Sequence, residues 1–237
     1  MLVARGLAPS RAKAQALIRA GQVFAGTVRL DKPGHGVGED LDLEVRAALP
    51  YVSRGGLKLA HAIDHFGFDA SGRTALDIGA STGGFSDVLL QNGARRVYAV
   101  DVGRGQLDWG LRNDPRVIVL EGVNARYLSR REVPEPIEAL VCDASFIGLK
   151  TVLPAALDLV TPGGWLVALI KPQFEVGRDK VGKKGVVRDP ELHRSVCTDI
   201  EAWLAARPGW AVRGVTESPV TGPEGNREFL IGAERVG

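Results

Sequence analysis

Along the first fifty residues apolar positions come in short, mixed patterns, and beyond them they settle into a regular alternation. Residues 10–20 carry Ala14, Leu17 and Ile18 on one helical face, with Arg11, Lys13 and Arg19 off it. Ser10 is a good N-cap and Gly21 a good stop, so the spacing predicts a short helix there. Residues 22–26 and 28–30 read as short strands, and Leu41, Leu43 and Val45 alternate as a third. Gly34, Gly36 and Gly38 mark the loop before it. A compact α+β unit is therefore expected over residues 1–46. Residues 47–50 form a linker, because Pro50 ends regular structure.

From residue 51 to 237 the pattern is that of a second, larger domain. Apolar runs at 74–78, 96–101, 117–120, 139–143 and 165–170 have the length and β-branched content of buried parallel strands. Helical stretches at 85–92, 149–160 and 191–206 lie among them. Such alternation predicts a doubly wound, Rossmann-like α/β sheet. The end differs: residues 211–216 and 228–231 have no long helix between them, so the sheet should close with an antiparallel hairpin.

Composition changes this picture little. The chain has 237 residues, 45% of them apolar and 24% charged, with a formal net charge of +2. Distribution says more. Residues 1–32 hold Arg5, Arg11, Lys13, Arg19, Arg29 and Lys32 against Asp31, whereas residues 33–50 are acidic. A basic leading segment suits a phosphate backbone. Cys142 and Cys197 form neither a metal pattern nor a disulfide framework, which suits a reducing cytoplasm. No leader opens the chain and no apolar run is long enough to span a bilayer, so no membrane partner is expected.

Candidate chemistry gathers at the ends of the predicted parallel strands. After the first comes Gly79, Ala80, Ser81, Thr82, Gly83, Gly84 and Phe85, a tight turn whose glycines let backbone approach a ligand. Asp101 closes the second strand and could accept both ribose hydroxyls of an adenosine cofactor; Asn124 lies just past the third and Asp143 ends the fourth. Lys171 follows the fifth within Lys171-Pro172-Gln173-Phe174-Glu175. Lys58 stands in Ser53-Arg54-Gly55-Gly56-Leu57-Lys58, and Glu228 opens the final strand. Cys142 and Asp143 are neighbours in one strand and face opposite ways, so Cys142 reads as core and not as a nucleophile.

The Gly83-Gly84-Phe85-Ser86 turn, Cys142-Asp143-Ala144-Ser145-Phe146, the Lys171 to Glu175 segment and Arg227-Glu228-Phe229 together resemble the hemolysin-A-type rRNA methyltransferases. Those are FtsJ-like 2'-O-methyltransferases with an N-terminal S4 domain. Arg5-Gly6-Leu7-Ala8-Pro9-Ser10-Arg11 and Leu17-Ile18-Arg19-Ala20-Gly21 resemble the S4 signature. The resemblance covers essentially the whole chain. It implies a class I S-adenosyl-L-methionine methyltransferase sheet behind a small S4 RNA-binding domain. It also implies Lys58, Asp143, Lys171 and Glu228 as the catalytic tetrad. The cofactor would lie on Gly79, Ala80, Ser81, Gly83, Gly84, Phe85, Asp101 and Asn124. Family members carry a further helical segment ahead of the position of Leu2, so the first S4 helix is expected to be short or missing, either by truncation or because the start lies upstream.

In that reading Lys171 deprotonates or polarises a ribose 2'-hydroxyl, Asp143 orients it, and Lys58 and Glu228 position the ribose. The acceptor is ribosomal RNA, free or in a subunit, with cytidine the leading nucleotide; oligomeric state is left open. Arg5, Arg11, Lys13, Arg19, Arg54, Lys183 and Lys184 are the expected RNA contacts, the last two in a basic loop at 177–189. An NAD-type oxidoreductase would share the glycine-rich turn and Asp101 but leave both lysines and Glu228 without a role. A non-enzymatic rRNA-binding or hemolysin-like protein would need none of the cofactor residues.

Overall fold

The computed structural model describes the chain except residues 20, 27, 31, 35, 39, 46–48 and 178–179 and the side chains of 29 and 183. Residues 47 and 48 of the expected linker at 47–50, together with Arg46, Arg178 and the side chain of Lys183, lie outside the described parts. The chain divides into two compact units, Met1–Pro50 and Tyr51–Gly237.

The first unit contains helix α1 (Arg11–Arg19) and strands β1 (Val23–Ala25), β2 (Val28–Arg29) and β3 (Leu43–Val45), in an antiparallel sheet ordered β2-β1-β3. Ser10 Oγ accepts the Lys13 amide at 3.2 Å, capping α1. Ala14, Leu17 and Ile18 pack on a core of Leu2, Ala8, Val23 and Leu43. That leaves Arg11, Lys13 and Arg19 exposed.

The second unit runs α2 (Gly55–Phe66), β4 (Thr74–Ile78), α3 (Gly84–Gln91), β5 (Arg96–Asp101), α4 (Trp109–Arg112), β6 (Val117–Glu121), β7 (Ile137–Cys142), α5 (Leu149–Val152), α6 (Pro154–Leu157), β8 (Val160–Ile170), α7 (Pro172–Glu175), α8 (Pro190–Ala205), β9 (Trp210–Glu217) and β10 (Phe229–Arg235). Its seven-stranded sheet has the order β6-β5-β4-β7-β8-β10-β9. Strands β4 to β8 are parallel neighbours, and β10 inserts antiparallel between β8 and β9. Alternate residues of one strand enter different cores. Leu76, Leu140, Leu166 and Ala168 pack on one face; Ala75, Val141, Val167 and Leu169 pack on the other. Burial on both faces is why these strands read as unbroken apolar runs.

Two elements depart from the expected pattern. The helix expected over 149–160 is two short helices that meet at Pro154, whose missing N–H cannot continue the first. Strand β8 then starts at Val160, five residues before its apolar run. Helix α2 stands where the glycines at 55 and 56 concealed a helical face: Gly56, Lys58, Leu59 and Ala62 are its buried side.

Candidate active site

The parallel strands deliver their carboxyl ends to one edge of the sheet, where such folds bind ligands. Between β4 and α3 the chain turns sharply at Gly79, with φ of +77°, and a Cβ there would lie 2.8 Å from the backbone of Ala144. The turn after β4 therefore packs directly on the turn after β7. Ser81 donates its amide to Asp101 Oδ2 at 2.9 Å, and Gly103 donates to Asp101 Oδ1 at 2.7 Å. Asn124 accepts the Arg126 amide, so it caps a short turn as well as facing the cleft.

Two adjoining cavities follow this edge. One, about 370 Å³, is walled by Ser81, Val100, Asp101, Val102, Asn124 and Ile147. The other, about 300 Å³, is walled by Arg54, Lys58, Ala80, Gly84, Phe85, Lys171, Gly222 and Glu228. Gly79, Ser81, Asp143 and Ser145 line both. Gly83 lines neither; with φ of +95° it packs against Leu107 and Leu111 and starts α3.

Lys58, Asp143, Lys171 and Glu228, far apart in sequence, meet in the second cavity. The sheet order explains two of them. Because β10 is antiparallel, it begins where β8 ends, with Phe229 opposite Ile170, so Glu228 and Lys171 arrive side by side. Lys58 Nζ donates to Glu228 Oε2 at 2.6 Å and lies 4.0 Å from Asp143 Oδ2. Lys171 Nζ is 2.7 Å from Asp143 Oδ1 and donates to the Asp143 carbonyl at 3.0 Å and Ser145 Oγ at 2.8 Å. Glu228 is wholly buried, and the lysines are nearly so. Charges this desolvated are tolerable only when paired, and the alternation of signs pairs each one.

The sequence reading missed two participants. Ser145 supplies the third acceptor to Lys171 from a segment quoted only as a motif. Asp77 is completely buried in β4 beneath the turn; desolvation pushes its carboxyl up to about 7, against a hydrogen bond from Ser86 Oγ at 2.7 Å. A single carboxylate inside a five-residue buried strand was the available signal. Cys142 is fully buried in the core and burial pushes its thiol up to about 12, an inert group.

Of the expected RNA contacts described in the second unit, exposed Arg54 lines the second cavity. Arg5 donates to the Leu41 carbonyl within the first unit. Lys184 is exposed. Among the described residues no helix is long and apolar enough to cross a membrane, and no group of three metal-ligating side chains is arranged to hold an ion.

Residues 51–235 match the model of the FtsJ-like methyltransferase family. The chain belongs to that family. This FtsJ-like methyltransferase is 47% identical over 233 residues to the 16S/23S rRNA (cytidine-2'-O)-methyltransferase TlyA of Mycobacterium tuberculosis, covering 97% of this chain and 86% of the relative. It is 39% identical to Hemolysin A of Brachyspira hyodysenteriae, over 95% of this chain and 94% of that one. A solved structure from Streptococcus thermophilus, which carries a provisional hemolysin name, superposes with a TM-score of 0.79 at 42% identity, covering 99% of this chain and 86% of the other. Methyltransferase structures only 18% identical share the fold alone, with TM-scores of 0.53 to 0.55. The α/β class I methyltransferase fold follows, and the oxidoreductase alternative falls away.

Proposed function

We propose that this FtsJ-like methyltransferase methylates a ribose 2'-hydroxyl of ribosomal RNA, on cytidine, in the cytoplasm, using S-adenosyl-L-methionine. The observation that carries the reading is Lys171, locked to Asp143 at the junction of two adjoining cavities. The first cavity suits the cofactor. Asp101 ends β5 with a carboxylate at its wall, Val100, Val102 and Ile147 give apolar surface for a purine, and Gly79, lacking a side chain, lets the turn after β4 pack on the turn after β7 to form the floor. Asn124, Gly79 and Ser81 would complete its hold there, and Ala80, Gly84 and Phe85 would meet the end that reaches into the adjoining cavity. When bound, the cofactor supplies an electrophilic methyl group on a sulfonium.

The protein's own task is to make a poor nucleophile competent. Lys171 first gives its ammonium proton to solvent, and its neutral Nζ then accepts the 2'-hydroxyl proton as the oxygen takes the methyl group, while Asp143 fixes the direction of that nitrogen. Lys58, held by Glu228, turns a positive charge toward the ribose oxygen as its negative charge grows. General-base assistance of this kind contributes ~10²–10⁴-fold. The first unit acts as an S4-like RNA-binding domain, its exposed Arg11, Lys13 and Arg19 meeting phosphate. Arg54 at the cavity mouth and Lys184 extend that contact in the second unit.

The test is methyl transfer from labelled S-adenosyl-L-methionine to unmodified ribosomal subunits and to free rRNA, with nuclease and mass mapping of the product. Label on a cytidine ribose is the expected result. Label on a base, or none on either RNA form while the cofactor binds, would overturn it.

A further inference from the structure

The segment after α7 and the loop before β10 are far apart in sequence, yet one buried side chain fastens them together. Asn226 is only 4% exposed. Its Oδ1 accepts the Val187 amide at 3.1 Å, and its Nδ2 donates to the Gly185 carbonyl at 3.1 Å and to the Pro223 carbonyl at 3.2 Å. One acceptor meets an N–H and the donors meet carbonyls, so the amide orientation is fixed by its surroundings. From the other side His193 Nε2 contacts the Val187 carbonyl at 2.9 Å. Val186 and Val187 are buried between these two clamps, whereas Lys180, Lys184 and Arg188 around them are exposed.

The same loop forms the catalytic wall. Gly222 donates its amide to the Asn226 carbonyl at 2.8 Å, and a Cβ on Gly222 would lie 2.1 Å from Glu228 Oε1. Ser218 donates to the Glu228 carbonyl at 2.9 Å. Asn226 is thus two residues from the carboxylate that holds Lys58, and its hydrogen bonds run back to the basic segment that follows Lys171.

We infer that Asn226 is a positioning residue that latches the basic RNA-gripping segment onto the Glu228 loop, so that engagement of the phosphate backbone and assembly of the acceptor pocket occur as one event. This rests on the reaction proposed above. Truncation of Asn226 takes the side-chain partner from the buried Val187 amide and from the Gly185 carbonyl, while Pro223 keeps the Asn226 backbone N–H, and groups so stranded draw in water or move apart. The Lys58–Glu228 pair would keep its chemistry but lose its fixed place relative to the RNA backbone.

The experiment combines site-resolved amide hydrogen exchange with steady-state kinetics on the full chain. In Asn226→Ala the Val187, Gly222 and Ser218 amides should lose protection together. The kcat should fall at least about tenfold and the KM for rRNA rise, while S-adenosylhomocysteine binds within about twofold of wild type. His193→Ala opens the same contact from the opposite side. If both act through Val187, the double variant should lose no more kcat than the worse single one. A Val187 amide that stays protected in Asn226→Ala, or one that opens without change in kcat and KM, would sink the latch. If Asn226→Ala does not fold, His193→Ala is held to the same exchange and kinetic criteria. The exchange readout needs no substrate, so a wild-type protein inactive on rRNA would defeat the proposed reaction and not be mistaken for failure of the latch.

Discussion

Lys171 has three N–H bonds when charged, and Asp143 Oδ1, the Asp143 carbonyl and Ser145 Oγ lie within 3.0 Å of its nitrogen. An incoming hydroxyl would replace one of these, and the two neutral contacts, to the Asp143 carbonyl and Ser145 Oγ, are held less firmly than the carboxylate. Lys171→Ala should therefore lower methyl transfer at least about a hundredfold while S-adenosylhomocysteine binding by calorimetry is retained; full turnover in that variant would remove Lys171 from the chemistry. Asp77 makes a different prediction. Burial keeps it protonated in the folded protein up to about pH 7, whereas the unfolded chain releases that proton near 3.8. Between those values the folded state binds the extra proton, so this contribution to stability falls as pH rises from about 4 to 7, by up to roughly 4 kcal/mol. Asp77→Asn lacks the titration and should gain on wild type across that range in urea unfolding. Parallel pH curves would refute the assignment.

At the scale of elements, the site depends on two turns touching and one strand reversing. Gly79→Ala sets a Cβ 2.8 Å from the Ala144 backbone at a φ that side chains avoid. Strain of this kind costs about 1–3 kcal/mol, and the expected result is lower thermal stability with cofactor affinity weakened at least about tenfold. An unchanged affinity would mean that the turn yields. The sequence made the strand ends and their polar residues legible, because buried parallel strands leave apolar runs that stop where function begins. Helix α2 was not legible, since Gly55 and Gly56 argue against a helix locally and only packing decides otherwise. Gly56 is needed because a Cβ would strike the Tyr51 ring at 2.4 Å. Nor could one sequence reveal that Lys58 pairs with Glu228, a contact made across 170 positions. Ser145 and Asn226 stayed unread because their roles lie in whom they touch.

For the whole molecule, charge is nearly balanced but unevenly spread, so binding to RNA should be governed by a few exposed cations. Replacing Arg11, Lys13 and Arg19 together by alanine should weaken rRNA binding and lower the slope of log affinity against log salt by about 2–3, at roughly 0.7–0.9 per phosphate contact. Cofactor binding should not change. A slope equal to wild type would mean that this face does not meet the backbone.

The inserted position of β10 also sets a timetable. Residues leave the ribosome in order, and β8 is synthesised long before the strand that pairs with it. Until Phe229 reaches Ile170, the β8 flank has no neighbour on that side and Lys58 has no carboxylate from Glu228. A nascent or prematurely terminated product ending before residue 228 therefore lacks the means to assemble this cleft, whose last wall arrives only once the chain has grown past Glu228.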